Sequence, residues 1–186
     1  MKTISIAMAT FNGERFIRKQ LESLAKQTLS PFELVITDDG STDSTLAIID
    51  EFARQAPFPV RLYRNPTQLG YVQNFMHCAH LCKGELIAFS DQDDIWDDRK
   101  LRCACSVFEE HNPSVVFHDF HLIDKNDILI DPPGTTNRYS NIDHWTIVPG
   151  LTIVFQRELL AYTDLLGQSI DPGRPPTPLV RLIALP

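Results

Sequence analysis

Gly84-Glu85-Leu86-Ile87-Ala88-Phe89-Ser90-Asp91-Gln92-Asp93-Asp94 sets an apolar run directly against three carboxylates in four residues. The apolar part reads as a buried strand that starts just after the glycine closing a preceding helix. Its acids therefore emerge at a strand end and not along a solvated helix face. Three carboxylates at this spacing repel one another unless a cation compensates them. Hard divalent cations such as Mg²⁺ or Mn²⁺ take oxygen ligands, commonly one or two carboxylates plus substrate phosphates. The competing reading is an acidic helix N-terminus, with Asp97 and Asp98 as first-turn acids favoured by the helix dipole.

Working outward, the same strand-then-polar-turn pattern recurs. Residues 3–9 form an apolar strand-like run ending in Thr10-Phe11-Asn12-Gly13, and Phe16, Ile17, Leu21, Leu24 and Ala25 then recur at helical spacing. Glu33–Thr37 reads as a second strand ending in Asp38-Asp39-Gly40, with Ser41 or Thr42 as N-cap of a helix to about Arg54. A third strand is expected at Val60–Tyr63, and a helix from about Tyr71 to Cys82 follows. Strands alternating with helices point to βαβ units and a mostly parallel sheet, whose ligands sit beyond the carboxyl ends of the strands. Asp38 and Asp39 have that placement, although turn and cap chemistry for the Gly40 corner accounts for them as well. Asn12-Gly13 is likewise either a plain turn or a ligand contact, and Gly70 either brings backbone near a ligand or only starts a helix.

Beyond Asn112 the pattern loosens. Ser114–Asp119 reads as a further strand, residues 131–141 as a loop, Ile147–Phe155 as a strand and Arg157 to about Leu166 as a helix. The closing Leu179–Pro186 is apolar.

Composition narrows the function. The chain has 186 residues with 17 Lys+Arg against 24 Asp+Glu, a net charge of −7. One domain with a real core is expected at this length. There is no basic surplus to neutralise phosphates, which argues against nucleic acid as a partner. No stretch has the roughly 20 apolar residues of a membrane helix, and Met1–Ala9 lacks the apolar length of a signal peptide. Cys78, Cys82, Cys103 and Cys105 form no C-x-x-C pattern and read as packed thiols in a reducing, cytoplasmic setting. The phosphate loop, the dinucleotide fingerprint and the serine-hydrolase elbow are all missing. His77 and His80 have no acidic partners that would make them metal ligands. His118 and His121 flank Asp119, where one of them is a cleft-lining candidate, and Trp96 reads as a packing anchor.

Taken together and in order, Ile4–Gly13, Phe32–Asp43, Asn65–Asn74 and Gly84–Trp96 closely resemble the family 2 nucleotide-sugar glycosyltransferases. Ser90-Asp91-Gln92-Asp93-Asp94-Ile95-Trp96 is most similar to the rhamnosyltransferase-like branch. The resemblance is strong over residues 1–125 and weaker from Asn141 to Phe155. It implies an α/β GT-A type, Rossmann-like sandwich with a mainly parallel central sheet. Residues 1–125 would be its nucleotide-sugar-binding half, and residues 126–186 a partial, truncated acceptor-side half of the same domain. Thr10, Phe11 and Asn12 would touch base and ribose, and Asp38 or Asp39 would recognise the base. Gly70 and Asn74 would flank the nucleotide pocket. The D-x-D motif falls on Asp91, near the ribose, and Asp93, the ligand of Mn²⁺ or Mg²⁺.

The implied activity is an inverting, metal-dependent glycosyl transfer in cell-surface polysaccharide synthesis. The partners would be a UDP- or dTDP-linked sugar and a saccharide or lipid-linked acceptor, in the cytoplasm or at the inner face of the membrane. The branch leads one to expect a His-Asp base downstream of Gly150. This sequence departs from that pattern, because residues 172–186 contain neither His nor acid, and Asp143-His144 precedes the acceptor segment. Asp119 and Asp124 remain acceptor-side carboxylates to consider, Asp119 also as part of the donor-sugar pocket. The alternative is a truncated, catalytically inactive nucleotide-sugar-binding domain.

Overall fold

The computed structural model describes residues 1–124, 126–130, 150–162 and 182–184. Strands β1 (Ile4–Thr10), β2 (Glu33–Asp38), β3 (Val60–Arg64) and β4 (Leu86–Ser90) alternate with helices α1 (Ile17–Ala25), α2 (Thr45–Ala53) and α3 (Tyr71–Leu81). Helix α4 (Lys100–His111) and strands β5 (Val115–Phe117), β6 (Ile153–Gln156) and β7 (Leu182–Ala184) complete the described elements. They form one seven-stranded sheet in the order β3-β2-β1-β4-β6-β5-β7.

The first four strands pair in parallel, with Thr10 opposite Asp38 and Met8 opposite Ser90. Parallel strands need crossovers, and the amphipathic helices supply them. Both sheet faces are thereby covered, which is why every residue of β1 is buried and its sequence is mostly apolar, with Ser5 and Thr10 satisfied by the buried acids Glu33 and Asp38. The two-residue period still sorts the side chains. Ile4, Ile6 and Met8 join the core under α1 and α4, with Ile17, Leu21, Leu24, Leu101 and Phe108. Ala7 faces the opposite layer, where Cys78, Ala79 and Cys82 pack. Cys78 and Cys82 are free, buried thiols as expected, and burial pushes the Cys78 thiol up to about 12, which keeps it inert.

Several boundaries differ from the expectation. The strand expected over Ile147–Phe155 begins only at Ile153, because Gly150–Thr152 forms a 3₁₀ turn whose Thr152 is buried. β6 runs antiparallel to both β4 and β5, so the sheet is mainly but not wholly parallel. Arg157–Leu159 is a 3₁₀ turn, and most of the helix expected toward Leu166 lies outside the described residues, as do the loop 131–141 and the Asp143-His144 pair. β7, within the closing segment for which the sequence predicts no element, pairs in parallel with β5 through Leu182–Ala184.

Candidate functional site

The carboxyl ends of β1, β2 and β4 lie side by side and open onto a cavity of about 330 Å³. Thr10 and Phe11 line it from β1, Asp39 from just beyond β2, Gly70, Tyr71 and Asn74 from the start of α3, and Asp91, Gln92 and Asp93 from beyond β4. Residues far apart in sequence meet here because a parallel sheet brings every strand out on the same side.

The two adjacent acids after β2 take different parts. Asp38 is the last residue of the strand and accepts hydrogen bonds from Thr10 Oγ1 (3.0 Å) and from the Gly40 (3.2 Å) and Ser41 (2.9 Å) amides. It is buried behind the cavity wall and holds the corner. Asp39 faces the cavity and accepts from the Leu69 amide (2.7 Å), the Gly70 amide (2.8 Å) and Asn65 Nδ2 (2.9 Å). Burial alone would raise its pKa, but these donors outweigh it and hold the carboxyl below the usual range. Asn65 also donates to Asn74 Oδ1 (2.9 Å), and Asn74 Nδ2 donates to the Thr37 carbonyl (3.1 Å). Asn74 is therefore a fixed part of the wall. Gly70, with φ at +82°, adopts a backbone conformation that L side chains rarely take, and from it α3 departs.

Asn12 is turned away from this role. Its Oδ1 accepts from the Thr42 amide (2.9 Å) and its own amide donates to Ser41 Oγ (2.9 Å), so it ties the first strand-end turn to the second. Phe11 is 43% exposed and lines the cavity, and its backbone is clasped by Gln92: the amide donates to Oε1 (3.0 Å) and Nε2 donates to the carbonyl (3.1 Å). A Cβ at Gly13 would sit 2.3 Å from Gln92 Oε1, so the glycine makes room for the clasp. In the sequence Gln92 carries no signal of this role beyond its position between Asp91 and Asp93. Tyr71 is a second addition, donating from Oη to Asp91 Oδ1 at 3.3 Å. Burial and then the nearby acids push its phenol up to about 12, so it remains a donor throughout the physiological range.

The acidic loop is electrostatically loaded. Burial, and then the charge of Asp93, raises Asp91; burial, and then the charge of Asp91, raises Asp94 to about 6. Asp94 Oδ2 is buried without a hydrogen-bond partner. Asp93 is exposed on the cavity wall. Among the described residues no group of three or more His, Cys, Asp or Glu converges into a metal cage. An exposed carboxylate beside a second one under like-charge pressure fits instead a hard cation that takes its remaining oxygens from phosphates and water. Trp96 is the packing anchor expected, 6% exposed in the main core.

The acceptor-side candidates fare differently. Asp124 accepts the amides of Asn126 (2.8 Å) and Ile128 (2.9 Å), so its carboxylate closes a turn and is spent there. His118 lies away from the cavity. Its Nδ1 is 2.7 Å from the Asp119 carbonyl, and burial, with the charge of Lys100 second, pulls its pKa down to about 4. Asp119 Oδ1 accepts from the Phe120 amide (3.0 Å).

Asp94 and His118 make opposing contributions to pH-dependent stability. Asp94 binds its proton more tightly folded than unfolded, so its contribution falls as pH rises from about 4 to about 6, by on the order of 3 kcal/mol. His118 binds its proton less tightly folded, so its contribution rises between about 4 and 6.5 by a similar amount. The two nearly cancel. Asp94→Asn uncovers the His118 slope: urea unfolding at several pH values between 4 and 7 should show the variant gaining about 2–3 kcal/mol relative to wild type. Parallel profiles for the two proteins would refute the assignment.

Residues 5–160 match the family model described as Glycosyl transferase family 2. The chain is 30% identical over 160 residues to the UDP-Glc:alpha-D-GlcNAc-diphosphoundecaprenol beta-1,3-glucosyltransferase of Escherichia coli, covering 84% of this chain and 61% of that relative. It is 32% identical over 165 residues to a dTDP-rhamnosyl transferase of Shigella flexneri, covering 82% of this chain and 55% of that relative. The crystal structure of Staphylococcus aureus TarS 1-349 in complex with UDP-GlcNAc superposes with a TM-score of 0.73 at 25% identity, over 87% of this chain and 47% of that one. The chain thus spans about three fifths or less of the length of the curated relatives it matches. The architecture is the α/β GT-A type expected from the sequence.

Proposed function

The chain belongs to glycosyl transferase family 2, and we propose that it binds a nucleoside-diphosphate sugar and transfers the sugar, with inversion, to a saccharide or lipid-linked acceptor in cell-surface polysaccharide synthesis. The observation that carries the reading is the single cavity that sets Phe11 and Asp39 opposite Asp91 and Asp93 across one row of strand ends. Residues 1–125 would be the donor half and residues 126–186 the acceptor-side half. The named donors of the relatives favour a UDP- or dTDP-linked sugar.

In this reading the exposed Phe11 ring stacks on the base, where its π-face and low mobility favour a planar ligand. The Gln92 clasp keeps that ring from swinging out. Asp39 and Thr10 meet the polar edge of base or ribose, while Gly70 and Asn74 hold the opposite wall. Asp93, with Asp91 beside it, would hold Mn²⁺ or Mg²⁺, which when bound supplies Lewis-acid stabilisation of the leaving diphosphate. Tyr71 donates its phenolic hydrogen to Asp91 and so fixes that carboxylate at the ribose and phosphate end. Inversion also requires a carboxylate base on the face of the sugar opposite the leaving group. With a lipid-linked acceptor the reaction would take place at the inner face of the membrane; among the described residues no helix is long and apolar enough to cross one.

A second reading, donor binding without turnover, is favoured by one observation: the acceptor-side carboxylate of Asp124 is spent on the Asn126 and Ile128 amides. Incubation with UDP-glucose or dTDP-rhamnose and Mn²⁺, followed by proton NMR of the released sugar, separates the two. Release of the inverted anomer is the result expected of a transferase. Tight donor binding with the nucleotide sugar left intact would overturn the transfer reading in favour of the second.

A further inference from the structure

Gln92 stands between Asp91 and Asp93, and its side-chain amide reaches across to the turn that follows β1. The other residues of that turn are tied the opposite way. Thr10 Oγ1 donates to Asp38, the Asn12 amide to Ser41 Oγ and the Gly13 amide to Thr45 Oγ1 (2.7 Å), all on the β2 side. Of the four residues Phe11 is the one held from the β4 side, through both of its backbone groups. A primary amide carries an acceptor and a donor in one plane, so it satisfies both groups of one residue as a neighbouring strand would. A glutamate in its place would accept from the Phe11 amide and leave the Phe11 carbonyl without a donor. The clasp thus carries the pairing of β1 with β4 beyond Met8 and Ser90, where the strand register ends.

The same contact accounts for Gly13. Its φ is not in the positive region that favours glycine, so the backbone there accepts other residues. A Cβ would instead run into Gln92 Oε1, the far end of a flexible side chain, and the amide would give way before the backbone did.

We propose that Gln92 couples the two ends of the donor cavity. It joins Phe11 to the Asp91–Asp93 loop, so that a cation held at Asp93 and a base resting on Phe11 strengthen each other's binding. Gln92 acts here as a positioning residue, and Gly13 leaves the space that the clasp needs. The inference rests on the donor-site reading above. Because coupling is reciprocal, the gain in nucleotide affinity contributed by Mn²⁺ must depend on the Phe11 ring. Two independent ends would show the same gain with the ring or without it.

Affinities for UDP and dTDP test it, measured by calorimetry with Mn²⁺ and by ligand-observed NMR without it. The proteins are wild type and Phe11→Leu, and the same pair carrying Gly13→Ala. The Mn²⁺ gain should be about fivefold larger in wild type than in Phe11→Leu, and equal within about twofold in the two Gly13→Ala proteins. Gly13→Ala should melt within about 5 °C of wild type, because only a side-chain amide has to move. Should it not fold, the same pair carrying Gln92→Ala decides, since the Phe11 groups it releases are exposed and return to water. An equal Mn²⁺ gain in wild type and Phe11→Leu overturns the coupling, as does a coupling that survives loss of the clasp. Wild type that binds nucleotide with no gain from Mn²⁺ overturns it too and leaves the nucleotide site standing. Wild type that binds neither nucleotide overturns both the inference and the donor-site reading.

Discussion

Asp93→Ala removes the metal-dependent part of nucleotide binding, lowering affinity in the presence of Mn²⁺ by at least about 100-fold, while the melting temperature stays within a degree or two of wild type. The two halves of this expectation have separate causes. Asp93 is exposed on the cavity wall, so truncating it orphans no buried group and leaves no hole in the core. A hard cation at this loop has few other anchors, because Asp94 is largely withdrawn and Asp91 is already engaged by Tyr71. Losing one charged oxygen ligand from so small a set is decisive, whereas the base and ribose contacts remain. A variant whose nucleotide affinity keeps its full Mn²⁺ dependence would refute the assignment of Asp93.

Asp39→Ala damages both fold and site. Three donors, the Leu69 and Gly70 amides and Asn65 Nδ2, converge on this carboxylate. Hydrogen bonds to a charged group are worth about 1.5–3 kcal/mol each, and part of the loss returns through water, so a net cost of about 2–4 kcal/mol is expected. In a chain of this size that lowers the melting temperature by about 5–15 °C. Because the folded carboxyl is held below its ordinary range, its contribution is complete above about pH 4 and fades as pH falls through the depressed value. Nucleotide affinity should fall at least tenfold, because the loop carrying Gly70 loses its anchor as well as its acid. Thermal denaturation and calorimetry on one preparation check both effects. Asp38→Ala, by contrast, should act on stability through the Gly40 corner and leave the cavity face of Asp39 in place.

The parallel half of the fold was legible because each strand announces itself twice, by an apolar run and by the polar turn that must follow it. β1 to β4 are found where the alternation of strands and helices sets them. Harder was the choice between Asp38 and Asp39. Adjacent residues at a strand end point to different sides, and only the register of Thr10 opposite Asp38 decides which acid is spent on the neighbouring strand. Asn12 was ambiguous for the same reason, and its bonds to Ser41 and Thr42 resolve it as a tie between turns. Gln92, Tyr71 and Lys100 carry no local signal, since their roles depend on partners 81, 20 and 51 residues away in the chain. β6 begins later than the apolar pattern before Ile153 suggests, because Gly150–Thr152 forms a turn whose Leu151 carbonyl accepts from Lys100 Nζ. The pairing of β7 with β5 is a long-range event that a short apolar segment cannot advertise.

The central claim is a donor site at the strand ends, and its most direct test is calorimetric titration of the chain with UDP and with dTDP, each with and without Mn²⁺. The account predicts that one of the two binds, that Mn²⁺ tightens it, and that Asp39→Ala and Asp93→Ala each weaken it. Failure of both nucleotides to bind a folded chain in the presence of Mn²⁺ would contradict it.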